Sequence, residues 1–214
     1  MMKEGYRMIE KITVNTQSSI RIAAEKVIRF DPYQISGAPH DADIVFLTHE
    51  HYDHFSPDDL RLVMKPETVL AAPKSMQKIL RKAGFSPFTA FQAGESGTVC
   101  GYPVEAVASY NLNRSFHPKE NGWLGYVVTV DGQRIYVAGD TDAVPEAAAV
   151  HCDIALLPIG GTFTMNAKEA AALVRKIRPK AVIPTHYGTI VGQRSDGQLF
   201  SDAVGSEIHV VIRL

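Results

Sequence analysis

Cysteine is scarce in this chain. Cys100 and Cys152 are the only two among 214 residues, and they form no CxxC pair. That spacing argues against a zinc ribbon or a disulfide framework and leaves a reducing, cytoplasmic setting as the expectation. Both thiols read as ordinary small core residues. Charge of one sign is lacking too: 22 Lys and Arg against 23 Asp and Glu leave a formal net charge of −1, with no global pull toward nucleic acid or an anionic membrane. No stretch of apolar residues is long enough for a membrane span, and residues 1–14 lack the apolar core of a signal peptide. Repeats, low-complexity tracts and Pro/Gly/Ser-rich linkers are also missing, so nothing marks a boundary and one domain over residues 1–214 is the simplest reading. Gly160-Gly161 lacks the context of a phosphate loop and reads as a tight turn.

What is present is apolar material, 45% of the residues, enough for a substantial core. Strand signals come in two blocks. The first predicts strands over residues 12–14, 19–23 and 27–31, then a buried strand over 44–48. Ser56 as N-cap, Pro57 and Asp59 start a helix over 57–64. A strand over 68–71 and a helix capped by Ser75 and stopped by Gly84 follow. The second block predicts a strand over 104–109 and a hairpin, 126–130 and 134–138, turning through Asp131-Gly132 as type I′. Strands over 154–158, 181–185 and 208–212 then surround a helix over 167–178 whose cap pair is Asn166 and Glu169. Two β-rich blocks with interspersed helices predict an α/β architecture of two sheets between helical layers.

Three of the eight histidines fall in one six-residue stretch of "THEHYDHF", residues 48–55, directly after an apolar strand. Imidazole and carboxylate are ligands for zinc, manganese and iron. A single open metal site takes about three protein ligands, so four here fit two adjacent ions, His49 and His51 facing one, Asp53 and His54 the other. A bare cluster of neutral ligands gains nothing without metal, and Ser56 already caps the helix that follows.

This HxHxDH pattern resembles the signature of the metallo-β-lactamase superfamily, reading here His49, Glu50, His51, Tyr52, Asp53 and His54. "YVAGDTD" sets Asp140 at the position of that family's metal-bridging aspartate, and "VIPTHYG" sets His186 at its last histidine. With "DPY" at 31–33 and "LLPIGGTFTM" at 156–165, the similarity spans nearly the whole chain. The resemblance implies a four-layer αββα sandwich of two similar halves, ligands converging at one edge, and two divalent ions, zinc first with manganese or iron as alternatives. The chain looks most like the small, insert-free branch of lactonase-like and phospholipase-D-like hydrolases. His51 favours hydrolysis over redox chemistry, because the diiron flavoprotein relatives carry glutamate there. One departure stands out: alignment sets Asn111 where the superfamily usually has another histidine, and His117 either folds back as a metal ligand or is an exposed loop residue.

The implied chemistry is a metal-bridging hydroxide attacking a small ester, lactone or phosphodiester. Asp140 would hold the ions together, and Asp53 would orient the nucleophile and pass a proton to the leaving group. Tyr187 is either an oxyanion donor or a packed core tyrosine. Asp31 either steadies a metal-binding histidine or ends its strand. Arg114 and Lys119 either hold an anionic substrate or are solvated loop charges. A small-molecule substrate is the expected partner, and a homo-oligomer is compatible with the sequence. Nucleic acid is not expected, since the chain lacks a large inserted domain and clustered Lys/Arg with interleaved aromatics. A nuclease-type phosphodiesterase and a non-enzymatic metal-containing binding module are the competing readings.

Overall fold

A computed structural model describes residues 7–214; residues 1–6, part of the segment read as lacking signal-peptide character, lie outside the described residues. Among the described residues thirteen strands form two sheets. The first holds β1 (Ile12–Val14), β2 (Ile20–Ala23), β3 (Val27–Phe30), β4 (Ala42–Phe46), β5 (Met64–Pro73) and β6 (Thr89–Phe91) in chain order. Its first two pairings are antiparallel and the rest parallel. The second holds β7 (Ser96–Val99), β8 (Tyr102–Ala108), β9 (Leu124–Val130), β10 (Gln133–Val137), β11 (Ile154–Pro158), β12 (Ala181–Thr185) and β13 (His209–Val210), again in chain order. Here β7 to β10 are antiparallel and β10 to β13 parallel.

Side-chain alternation along the strands sorts the core into three layers. On β4, Ile44 and Phe46 enter the cluster between the sheets with Tyr126, Val128, Ile135 and Leu156, while Val45 and Leu47 face the other way. Those two pack against α1 (Pro57–Val63) and α2 (Gln77–Lys82) through Leu60, Val63 and Leu80. On the second sheet Ala155, Leu157 and Val182 meet α4 (Ala167–Ile177) and α5 (Asp196–Val204) through Leu173, Val174 and Phe200. A strand buried on both faces needs a continuous apolar run, which is why residues 44–47 read as IVFL. The result is helix, sheet, sheet, helix: the four-layer αββα sandwich.

The type I′ turn at Asp131-Gly132 is present, with φ of 49° and 73°, and α4 carries the full capping box of Asn166 and Glu169. Ser56 caps α1 through the Asp59 amide. Ser75 makes no cap bond; its helix starts instead through a 3₁₀ turn, Lys74–Met76. The strand expected over 68–71 runs from Met64 to Pro73, and β6, β7, a one-turn α3 (Pro145–Ala148) and α5 have no counterpart in the sequence expectations. No helix among the described residues is long and apolar enough to cross a membrane.

Direction within the sheets assembles one functional edge. β1 and β3 run the same way, since both are antiparallel to β2, and β4 is parallel to β3. By the same reasoning β8, β10 and β12 share a direction. The C-terminal ends of the two sets meet where Tyr126 Oη donates to the Leu47 carbonyl at 2.9 Å and the Leu124 amide donates to the Thr48 carbonyl at 3.1 Å. The histidine stretch begins at that junction.

Candidate metal centre

Each expected ligand leaves the C-terminal end of a strand: His49, His51, Asp53 and His54 follow β4, His117 lies in the loop after β8, Asp140 follows β10, and His186 follows β12. Strand ends of this kind are where open α/β sheets build their sites. Gly139 lets Asp140 in. It has a φ of 65°, and an added Cβ would lie 3.0 Å from the Leu124 carbonyl oxygen and 3.1 Å from Thr48 Cβ.

The side chains form three overlapping groups: His49/His51/His117, His49/His54/Asp140 and Asp53/His54/His186. Within each, one ligand atom per residue lies within 4.8 Å of the others. Asp140 sits between the first and last groups. Its Oδ2 is 3.2 Å from His117 Nε2 and 3.2 Å from His186 Nε2, and its Oδ1 is 3.3 Å from His54 Nε2. All are buried except His51, which is half-buried. His49 and His51 fall in one group and Asp53 and His54 in another, while the middle group joins His49 to His54.

His117 enters because Asn111 turns it inward. The Asn111 amide donates to the His117 carbonyl at 2.8 Å, and Asn111 Oδ1 accepts from the His117 amide at 3.0 Å. A backbone N–H can only donate, so the atom facing His117 is the oxygen, an assignment strengthened by Asn111 Nδ2 donating to the Phe163 carbonyl at 3.0 Å. His117 Nδ1, also 3.0 Å from that oxygen, therefore carries the proton. Nε2 keeps its lone pair and faces Asp140. Asn111 thus stands behind His117, and it is the ring six residues on that reaches the cluster.

Asp31 plays the same part for two histidines. It is fully buried, with a left-handed φ of 42°. It accepts from the Thr48 amide at 2.8 Å, from Thr48 Oγ1 at 2.5 Å and from His54 Nδ1 at 2.7 Å. With its own proton given to Asp31, Thr48 Oγ1 is free to accept from His49 Nδ1 at 3.0 Å. One carboxylate so fixes Nδ1 of both His49 and His54 and turns their Nε2 atoms toward the cluster, where the His54 Nε2 atom would have to give up any proton to hold a cation.

Burial opposes charge on Asp140, but His186 and His54 outweigh it and hold its carboxyl well below the usual carboxylate range. Burial would likewise depress His54, yet Asp140 and Asp31 lift it well above the ordinary imidazole value. Burial, reinforced by the His54 charge, holds His49 well below that value, so it stays a neutral ligand. Asp53 is lowered because the His186 hydrogen bond and the His54 charge outweigh its burial.

Unsatisfied atoms show that the donor set fits a cation. His54 Nε2, His117 Nε2 and Asp140 Oδ1 are buried and make no hydrogen bond. Buried polar atoms left bare are costly, and three gathered about the Asp140 carboxylate, all of ligand type, suit bound divalent cations. Trp123, the only tryptophan, walls the three-histidine group with its ring centroid 4.9, 4.8 and 5.5 Å from those of His49, His51 and His117.

Tyr187 is the expected site residue that the structure does not bring in. It is fully buried within the helix-side core, and its hydroxyl, without a hydrogen-bond partner, lies where a side chain on Gly197 of α5 would begin. The turn is local: on β12 Val182 faces the helix side and Ile183 the other sheet, and the left-handed φ of 55° at His186 breaks that alternation before Tyr187, which joins the helix-side core. The reading of Tyr187 as an oxyanion donor is corrected to a core tyrosine. Arg114 is paired with Asp142 at 2.7 Å and Glu169 at 3.1 Å, and Lys119 with Glu146 at 2.8 Å, so neither offers a free cation to an anionic substrate. Three residues missed from sequence are Gln17, Thr48 and Trp123; only Thr48, adjacent to the motif, carries a signal that sequence reasoning could use.

A sandwich with potential metal-binding His/Asp clusters at its edge places the chain in a class of fold, and comparison with known proteins agrees on which. A model of the β-lactamase superfamily domain matches residues 11–186. The UPF0173 metal-dependent hydrolase of Thermococcus kodakarensis is 30% identical over 216 residues, covering 94% of this chain and 95% of that one. That of Methanosphaerula palustris is 32% identical over 204 residues, 91% of each. The crystal structure of a candidate metal-dependent hydrolase from Parabacteroides distasonis superposes with a TM-score of 0.79 at 30% identity, covering 94% of this chain and 91% of that one. The chain belongs to the metallo-β-lactamase superfamily, in its UPF0173 branch of metal-dependent hydrolases.

Proposed function

We propose that the protein hydrolyses an uncharged ester or lactone, with one divalent ion held by His49, His51 and His117, a second by Asp53, His54 and His186, and Asp140 shared between them. The observation that carries this is the approach of Asp140 Oδ2 to within 3.2 Å of a histidine Nε2 from each trio. Two such ions, zinc first with manganese or iron as alternatives, supply Lewis acidity and a water acidified toward neutral pH. Asp53 meets both His186 and Gln17 through Oδ2, which leaves Oδ1 to accept a proton and deliver it to the leaving group.

The substrate class follows from what surrounds the donors. Arg114 and Lys119 are spent on ion pairs, which disfavours the phosphodiester reading. The loops carrying the donors also expose Tyr52, Leu112, Phe116 and Ile190, which supports an apolar group beside the scissile bond. The test is turnover by tag-free protein, reconstituted with zinc or manganese, on nitrophenyl esters and lactones of increasing chain length and on bis(nitrophenyl) phosphate. Metal-dependent ester or lactone cleavage that rises with chain length is expected. Cleavage of the phosphodiester alone, or turnover unaffected by chelator, overturns the reading.

A further inference from the structure

Gln17 belongs to none of the motifs, yet it is fully buried and its backbone has a left-handed φ of 46°. A non-glycine residue keeps that conformation only where its surroundings enforce it. It lies in the turn after β1, at the edge where the donors gather. Its carbonyl accepts from the His186 amide at 3.0 Å, joining two left-handed residues. Its side chain is fixed at the other end, because Oε1 accepts from Thr189 Oγ1 at 2.5 Å. Nε2 then faces Asp53 Oδ2 at 3.4 Å and the His186 Nε2 atom at 3.3 Å.

His49, His54 and His117 each have an acceptor behind the ring, in Thr48, Asp31 and Asn111. His186 has no such acceptor among the described residues, and Gln17 holds it by the backbone instead. We propose that Gln17 is a positioning residue for the Asp53/His54/His186 half of the centre. Its carbonyl and carboxamide together set Asp53 Oδ2 and His186 Nε2 at their 3.2 Å separation. An amide is well suited here, because its N–H grips the carboxylate without competing for a cation as a second carboxylate or imidazole would. This inference rests on the metal-hydrolase reading above.

The test uses Gln17→Gly, which keeps the carbonyl and accepts the left-handed backbone, and Gln17→Asn, which tolerates that backbone but shortens the reach. Zinc is titrated stepwise into metal-free protein against a competing chelator, with Trp123 fluorescence marking the three-histidine half. Cobalt absorption and the melting temperature of the metal-free protein are followed in parallel. Wild type is expected to take two equivalents. Both variants are expected to keep the Trp123-reported equivalent within about twofold and to weaken the other by about 10–100-fold, with an altered cobalt spectrum. Two equivalents at wild-type affinity in Gln17→Gly overturn the proposal alone, as does equal weakening of both together with a lower melting temperature. A wild-type protein that takes up no metal overturns the proposal and the hydrolase reading together.

Discussion

An Asn111→Ala variant removes the side chain that turns His117 into the site. The backbone bond from Asn111 to the His117 carbonyl survives, so the loop still returns, but the His117 amide and Nδ1 both lose their acceptor. The ring is then free to change tautomer or swing from Asp140. Loss of such a supporting partner costs about 10–100-fold in metal affinity, or about 1.4–2.8 kcal/mol. Two buried donors left bare cost roughly a further 1–3 kcal/mol in stability, with water entering the vacated space. For a chain of this length that is a melting temperature lower by about 3–10 °C. The assay is zinc titration read by Trp123, whose ring touches all three histidines of that half. Asn111→Asp keeps the acceptor and is expected to retain most of the affinity. Wild-type zinc affinity and an unchanged Trp123 response in Asn111→Ala would refute the tautomer reasoning.

Asp31→Asn keeps the shape but presents N–H groups where a carboxylate took protons from Thr48 and His54; turnover should fall by at least about tenfold, and unchanged kinetics would dissociate Asp31 from the centre. Tyr187→Phe deletes a hydroxyl that is buried without a partner, so activity should hold and stability should change by less than about 1 kcal/mol; a large drop in kcat would restore the oxyanion role. Asp41 lies between Arg21 and Arg29 at 2.9 and 2.8 Å. Burial opposes its charge, but the two guanidinium groups prevail and hold it below the usual carboxylate range. The unfolded chain therefore binds the proton more readily, and the stabilisation is present above about pH 4 and lost as pH falls through the lowered folded value. Urea unfolding should show Asp41→Asn weaker by about 1–2 kcal/mol at pH 6, the difference shrinking toward pH 3; a gap that is the same at both pH values would contradict this.

Most of the sandwich is legible in the sequence because each strand buried on two faces must read as an apolar run, as at residues 44–47 and 154–157, and because Asp131-Gly132 and the Asn166/Glu169 box are local chemistry. The elements that escape are weak in the same local terms. β7 is exposed over Ser96, Gly97 and Thr98, so it shows no period-two pattern. α5 has Gly197 in its first turn, which weakens its helix signal; glycine is there because Tyr187 Oη would lie 2.6 Å from any Cβ. That reason belongs to a residue ten positions away, and no window of sequence displays it.

The donors divide along the same line. His49 to His54 are contiguous, and Asp140 and His186 end apolar strands, so pattern alone finds them. Sequence leaves His117 open between ligand and loop because its place depends on two hydrogen bonds to one carboxamide across a six-residue return. Gln17, Asp31 and His186 show why the remainder is hidden. All three are non-glycine residues with left-handed backbones, at 46°, 42° and 55°, a region that aspartate and histidine visit less readily than glycine or asparagine and that glutamine seldom enters. Local pattern announces the left-handed backbone at none of them, and each lies at the candidate centre, His186 within a potential metal-binding cluster and Gln17 and Asp31 bonded to its members. At His186 the failure also misleads the reading of its neighbour, since ordinary extended geometry would not send Tyr187 into the helix-side core. At these three positions long-range bonds at the cluster hold the left-handed backbone, whereas Cys100 and Asp131 take the same backbone only to turn hairpins, so it is the buried hydrogen bonding, not the dihedral alone, that sets the three apart.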